Sequence, residues 1–319
     1  MVPTIREDSI QRFLLEWQIS GLHGSYKVFI IEDNPTKTFK IDETQELVHY
    51  SHQEIDKEFP IPEIIGRKTD AVRIFGFWKA YQEGFDYILT LDDDCYPANG
   101  QTLTELIASH LHVLKNPVNN PRLFNTMVRG FARGVPDYLK ERIPVKLSVG
   151  GWMGIPDIDG KTQLFLEREN LTMPSGKIYP DVVPYGQLFT FSGMHACFPR
   201  DMVKYMYYFP HLETYYRLAD IWLGFCLKKI CDQNNWAIVN AGAVIKHSRA
   251  SNATKNYTLE NTNDGYSVNE VFSKHVLNYQ FSENNFPIIS GIMVMLALMQ
   301  EPYFEKISIY YGKWNKLFR

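Results

Sequence analysis

Cysteine is scarce in this chain: there are four in 319 residues, Cys95, Cys197, Cys226 and Cys231, and no two share the C-x-x-C spacing of a zinc knot. A small disulfide framework and a cysteine-type zinc site are therefore excluded, and a reducing compartment fits best. An excess of one charge is also missing, because 33 Lys and Arg against 36 Asp and Glu leave a net −3. That balance gives no electrostatic argument for a nucleic-acid partner. No apolar run reaches the ~20 residues needed to span a bilayer. The nearest approach, Ile288 to Met299, reads as a packed helix or an oligomer contact, homo- or heteromeric. Met1-Val-Pro-Thr-Ile-Arg6 shows no signal-peptide pattern and passes directly into strand-like sequence, so a cytoplasmic setting is expected. The sequon-like Asn252-Ala-Thr254 and Asn256-Tyr-Thr258 are then incidental. The basic, aromatic ending Lys313 to Arg319 reads as a solvated amphipathic helix, with peripheral membrane contact as the alternative.

What the chain does have is core material, 45% hydrophobic and 14% aromatic residues, enough for one large α/β unit with an appendage. Its most informative stretch is Tyr87-Ile-Leu-Thr-Leu-Asp92-Asp93-Asp94-Cys95, an apolar run that stops on three carboxylates. The run reads as a buried parallel strand, and ligands collect at the carboxyl ends of such strands. Three adjacent anions repel one another and are not expected all to find local ion pairs, so a divalent cation is the natural counter-charge. Continued extended geometry would place Asp92 and Asp94 on one side, the D-x-D pair for a hard Mg²⁺ or Mn²⁺ that also takes phosphate oxygens. The plainer alternative is an acidic turn that faces water.

Around this strand the sequence alternates between helical and extended patterns. Asp8-Ser-Ile-Gln11 has capping-box spacing ahead of Ile10, Phe13, Leu14 and Trp17 on one helical face. Tyr26 to Ile31 reads as a second strand, ending at Glu32-Asp33-Asn34-Pro35. Asp70 is expected to cap a helix carrying Ile74, Phe77 and Trp78. Thr102-Leu-Thr-Glu105 again has capping-box form before Leu103, Leu106, Ile107, Leu111 and Leu114. Residues from about Asn116 to Pro184 are rich in Pro and Gly and are expected to form loops and short strands around a pocket. Ser192-Gly193-Met194 reads as a close-approach turn. Leu218 to Ile230 follow helical spacing with Asp220 in the first turn, and Ala237 to Ile245 form a buried strand ending in Lys246-His247-Ser248-Arg249. The expected fold is an open, doubly wound, mostly parallel sheet flanked by helices.

Taken in order, Val2 to Arg6, Glu32-Asp33 with Pro35-Thr-Lys-Thr38, Leu91 to Cys95, Arg133-Gly134, Gly151-Trp152 through Asp157, Asp220-Ile-Trp222, Lys229 to Asp232 and His247 to Asn252 resemble the reversibly glycosylated polypeptide family, the UDP-arabinopyranose mutases. The resemblance covers roughly residues 2 to 280. It implies a glycosyltransferase-A-like catalytic domain over 1–280, a helical C-terminal extension over 281–319, and metal-dependent, non-redox interconversion of the pyranose and furanose forms of a UDP-pentose. Alternatives are a UDP-sugar glycosyltransferase and a noncatalytic subunit of a mutase complex.

The resemblance also implies roles for individual residues. Asp92 and Asp94 would bind Mn²⁺ or Mg²⁺, with Asp93 beside them, and His247 is the candidate third ligand. Arg6, Lys68, Arg73 and Arg249 are candidates to clamp the diphosphate, because departing UDP accumulates charge. Asp33 could accept from uracil. The family is glycosylated on an arginine in a segment ending Leu-Arg-Glu-x-x-Pro. This chain reads Arg133-Gly-Val-Pro-Asp-Tyr-Leu-Lys140-Glu-Arg142-Ile-Pro144, which puts Lys140 at that arginine, with Arg142 and Arg133 as nearby substitutes. An ammonium is not a guanidinium, and its nucleophilicity requires loss of a proton. A second departure is Ala219-Asp220, where the family has paired aspartates, leaving Asp220 as the candidate base or sugar-hydroxyl acceptor.

Overall fold

The computed structural model describes residues 1–19, 26–124, 130–154, 157–169, 181–248, 252–281 and 287–318. Two sheets organise these residues. The first is parallel, in the order β1 (Val2–Thr4), β2 (Val28–Glu32), β3 (Leu47–Tyr50). Every residue of β1 and β2 is buried, which suits continuous apolar runs in a sheet covered on both faces. The second sheet runs β4 (Tyr87–Leu91), β8 (His195–Pro199), β6 (Val145–Gly154), β9 (Ala237–His247), β5 (Cys95–Pro97), with β7 (Asp181–Val182) also against β9. The Leu91 N–H donates to Met1 O at 3.1 Å, joining β4 to the edge of the first sheet.

The second sheet corrects the expectation of a single, mostly parallel one. Only β6 and β9 pair in parallel there; β4–β8, β6–β8, β5–β9 and β7–β9 are antiparallel. Parallel pairing needs a long crossover back to the same end after each strand. After β4 the chain instead turns at once through Asp92–Asp94 into β5. Strand β8 likewise starts at the carboxyl end of β4, with His195 opposite Leu91, so it must run the other way. The three strands β4, β6 and β9 still share a direction and deliver Asp92, Gly154 and His247 to one end.

Helices cover both sheets. In chain order they are α1 (Glu7–Glu16), α2 (His52–Glu58), α3 (Arg73–Gln82), α4 (Leu103–Lys115), α5 (Asp137–Lys140), α6 (Gly160–Arg168), α7 (Ala219–Gln233), α8 (Ala253–Glu260), α9 (Gly265–Asn278), α10 (Ile288–Ala297) and α11 (Pro302–Lys316). Helix α4 starts with the expected Thr102/Glu105 capping box. Two expected starts are corrected. Helix α1 begins at Glu7 with Arg6 as its uncapped N-terminal residue. Thr69, whose Oγ accepts from the Ala71 N–H, caps a short 3-10 turn over Asp70–Val72 that leads into α3, and α3 itself starts at Arg73 without a side-chain cap, so Asp70 does not cap it. The largest correction is β6, a ten-residue strand in a stretch expected to be loops and short strands.

Helices α10 and α11 share the main apolar core with α3 and α7. Trp314 is fully buried, and its Nε1–H donates to Val203 O at 3.0 Å; Tyr311 Oη donates to Tyr205 O at 3.2 Å. The aromatic ending therefore faces inward rather than out to water. Among the described residues no helix is long and apolar enough to cross a membrane.

Candidate functional site

The strand β4 ends at Leu91, and the next three residues form a tight turn closed by the Cys95 N–H donating to Asp92 O at 3.1 Å. Because the backbone turns, the three carboxylates do not simply alternate sides as an extended chain would. Two arginines from distant parts of the sequence meet them. Arg6, at the carboxyl end of β1, donates to both oxygens of Asp93 and, at 3.1 Å, to Asp94 Oδ2. Thr4 Oγ donates to Asp93 Oδ2 at 2.7 Å. Arg73 is 1% exposed and donates to Asp70 O, Thr90 Oγ, Gly193 O and, at 2.7 Å, Asp92 Oδ1. All three anions are nevertheless ion-paired, by arginines remote in sequence rather than by the local partners that were not expected. The partners lie 87 and 19 residues away along the chain, where a local reading cannot see them.

The pairing is unequal in a useful way. Asp93 has both oxygens engaged. Asp92 Oδ2 has no hydrogen-bond partner among the described residues, and Asp94 Oδ1 lies 3.8 Å from His247 Nε2. Burial, and after it the charge of Asp92, raises the Asp94 carboxyl to about 6. His247 ends β9 opposite Cys95, and the neighbouring Ser248 N–H donates to Asp94 O at 3.0 Å. Among the described residues no three His, Cys, Asp or Glu side chains converge as a ready-made metal cage. Two carboxylates with an imidazole nearby, one oxygen of Asp92 unpartnered and Asp94 resisting ionisation, fit a hard cation that takes its other ligands from phosphate and water.

Two adjoining cavities open beside this turn and share Lys68, Thr69, Asp70 and Asp92. The smaller, about 200 Å³, is also lined by Thr4, Arg6, Asp33, Arg73 and Asp93. Asp33 follows β2 and is buried; its oxygens take the Thr69 N–H at 2.6 Å and His52 Nε2 at 2.6 Å. Lys68 is exposed with a left-handed backbone, φ 54°, and makes no ion pair among the described residues. Arg73 holds Asp92 in place and has its donors engaged by protein.

The larger cavity, about 650 Å³, carries six carboxylates, Asp70, Asp92, Asp157, Asp159, Asp220 and Glu260, against the cations Lys68 and Arg217. Asp220 sits in the first turn of α7, its oxygens accepting from the Gly193 N–H at 3.3 Å and the Ile221 N–H at 2.9 Å. Desolvation first, then the charges of Asp70 and Asp157, raise its carboxyl to about 8. Gly193 is the centre of the expected close-approach turn, and a Cβ there would collide with Tyr208 Oη. That hydroxyl is buried without a hydrogen-bond partner, under the Arg73 guanidinium.

Other expected residues fall elsewhere. Lys140 pairs with Asp137 at 2.7 Å on the exposed α5, and Arg142 donates to Pro117 O. Arg133 lies in the exposed turn before α5. None of the three lines either cavity. Arg249 lies outside the described residues. Sequence reasoning missed Asp157, Asp159, Arg217, Glu260 and the cavity-lining role of Asp70. Asp157 is visible in the sequence only as the end of the matched Gly151–Asp157 segment and Asp70 only as a helix cap; Asp159, Arg217 and Glu260 carry no local motif, and Arg217 reaches the cavity from a loop in which Leu212, Glu213 and Arg217 itself are all left-handed.

An α/β framework gathers carboxylates, arginines and a lysine that makes no ion pair among the described residues around a cleft at its strand ends, the place where ligands of open α/β sheets collect. The chain belongs to the reversibly glycosylated polypeptide family, whose sequence pattern matches residues 1–317. It is 32% identical over 273 residues to probable UDP-arabinopyranose mutase 1 of Pisum sativum, covering 82% of this chain and 72% of that protein. It is 31% identical to UDP-arabinopyranose mutase 1 of Oryza sativa subsp. japonica, with the same coverage. Against UDP-arabinopyranose mutase 2 of Arabidopsis thaliana the identity is 29%, covering 97% of this chain and 87% of the relative.

Proposed function

We propose that this chain is a nucleotide-sugar mutase that interconverts UDP-arabinopyranose and UDP-arabinofuranose, or a closely related UDP-pentose, with the diphosphate held through Mn²⁺ or Mg²⁺. The observation that carries the site assignment is the pairing of the aspartate turn, which engages Asp93 fully and leaves one oxygen each of Asp92 and Asp94 without a hydrogen-bond partner among the described residues. A diphosphate entering the smaller cavity, which Asp33, Asp70, Asp92 and Asp93 line, needs a counter-cation, which supports the metal reading. Asp92, Asp94 and His247 would hold the ion, and when bound it supplies charge neutralisation for the departing diphosphate.

The chain's own residues divide the rest of the work. The bond that breaks joins the anomeric carbon to a diphosphate oxygen, and its electron pair leaves with UDP. Lys68 and Arg6 face the smaller cavity and stabilise that charge as it develops. Asp220, raised to about 8, keeps its proton at neutral pH. It can give that proton to the old ring oxygen as its bond to the anomeric carbon breaks and take one from the hydroxyl that bonds that carbon to close the new ring; the diphosphate oxygen then re-forms its bond to the same carbon, so no redox change is needed. Asp33 remains the candidate for uracil through lone pairs that Thr69 and His52 leave available.

Incubation of the purified chain with UDP-arabinopyranose and Mn²⁺, followed by chromatographic separation, is expected to yield UDP-arabinofuranose. Free UDP with no isomer would replace the mutase by a transferase. Activity that emerges only on mixing with a related subunit would make this chain a noncatalytic partner.

A further inference from the structure

Arg217 is placed in the larger cavity at an energetic cost. Its own φ is 59°, and Leu212 and Glu213 just before it have φ of 48° and 60°, a backbone region that side-chain-bearing residues adopt only when the surroundings demand it. What this loop presents is a guanidinium held by one atom. Nε donates to Glu260 Oε1 at 3.1 Å, and the two terminal nitrogens have no partner among the described residues. Glu260 is 4% exposed, and its Oε2 already accepts from the Gly160 N–H at 2.7 Å and Tyr266 Oη at 2.8 Å. The glutamate is therefore a fixed bracket that leaves the outer face of the guanidinium unengaged among the described residues.

The same cavity supplies acceptors. Asp157 takes a hydrogen bond from Ser192 Oγ at 2.9 Å through Oδ2, and Asp220 lines the same cavity. Two terminal guanidinium nitrogens among carboxylates suit a neutral polyol, in which each hydroxyl can accept from one group and donate to another. They do not suit a second phosphate, which the surrounding carboxylates would repel. We infer that the part of the cavity formed by Arg217, Glu260, Asp157 and Asp220 is the pentose subsite, and that Arg217 fixes the orientation of the sugar. This assignment rests on the UDP-sugar reading above.

The test is calorimetric titration of UDP and of UDP-arabinopyranose, both with Mn²⁺, into wild type, Arg217→Ala and Arg217→Lys. In Arg217→Ala, UDP affinity should stay at the wild-type level while the added affinity conferred by the pentose falls about tenfold or more. Arg217→Lys keeps the charge without the fork and should recover only part of it. Equal loss for both ligands would make Arg217 a diphosphate ligand and overturn the assignment, as would no change for either. If Arg217→Ala does not fold, Tyr266→Phe loosens the Glu260 bracket and should cause a smaller loss of the same pentose contribution; an unchanged contribution would overturn the inference. Wild-type protein that binds neither ligand would refute the UDP-sugar function itself, whereas wild type that binds both but loses nothing on substitution refutes only this subsite.

Discussion

Two groups of titratable side chains, one buried and one partly open to the cleft, adjoin the Ser192–Met194 turn, and they are finished to different degrees. Behind it, His195 on β8, His110 on α4 and Ser148 on β6 form a closed chain. Gly151 O can only accept, so His195 carries its proton on Nδ1 at 3.1 Å from that oxygen. His195 Nε2 then accepts from His110 Nε2–H at 2.9 Å, and His110 Nδ1 accepts from Ser148 Oγ at 2.8 Å. Gly150 has no side chain because the His195 ring occupies the place a Cβ would take. In front of the turn, among the described residues, Asp92 and Asp94 each keep an oxygen without a hydrogen-bond partner, the Tyr208 hydroxyl has none, and Asp220 holds its backbone donors beside the charges of Asp70 and Asp157. A network that completes itself stabilises the fold; one that needs an added cation or ligand to complete it marks a site.

The sharpest way to separate the two regions is to break each alone. Asp94→Asn should lower turnover by about 10²–10³-fold, the usual scale for losing one group that supports transition-state charge, with no drop in the urea midpoint. A lowered midpoint would show that the cleft is structural. His195→Ala should do the reverse, costing about 2–3 kcal/mol of stability through a cavity and orphaned partners while the folded fraction keeps its turnover. Urea unfolding together with an active-fraction assay checks it.

Acidity should also pull the two regions in opposite directions. Burial lowers His195 to about 4 and drives His110 well below its ordinary value, so their contribution is present above the usual histidine range and is lost as pH falls toward 4. Asp220 is raised to about 8, so its contribution is present below the usual carboxylate range and is lost as pH rises toward 8. In melting curves of the ligand-free protein, Asp220→Asn should flatten the loss between pH 5 and 8 and leave the acid side unchanged. The smallest effect is expected at Lys140→Ala: about 0.5 kcal/mol or less in stability, as for an exposed surface residue, and unaltered turnover. A collapse in turnover would return the acceptor role to that lysine.

Much of this was readable in the sequence where the signal is local. The apolar run into Asp92, the capping box of α4, the periodicity of α7 and the buried run of β9 each depend on neighbours within one or two turns. Strand β6 was hidden because Gly150, Gly151 and flanking prolines resemble loop composition, although Val145, Leu147 and the glycines serve a central strand. The ion pairs of Arg6 and Arg73 were not readable, since their meaning depends on which strand ends the fold brings together. The same holds for Arg217 and Glu260, 43 residues apart.

The most direct measurement is a calorimetric titration of UDP into the wild-type chain and Asp94→Asn, each with and without Mn²⁺. The wild-type protein should bind UDP strongly only with Mn²⁺, and Asp94→Asn should lose that dependence while remaining folded. Mn²⁺-dependent affinity that is unchanged in Asp94→Asn would contradict the placement of the metal-bridged diphosphate at the end of β4.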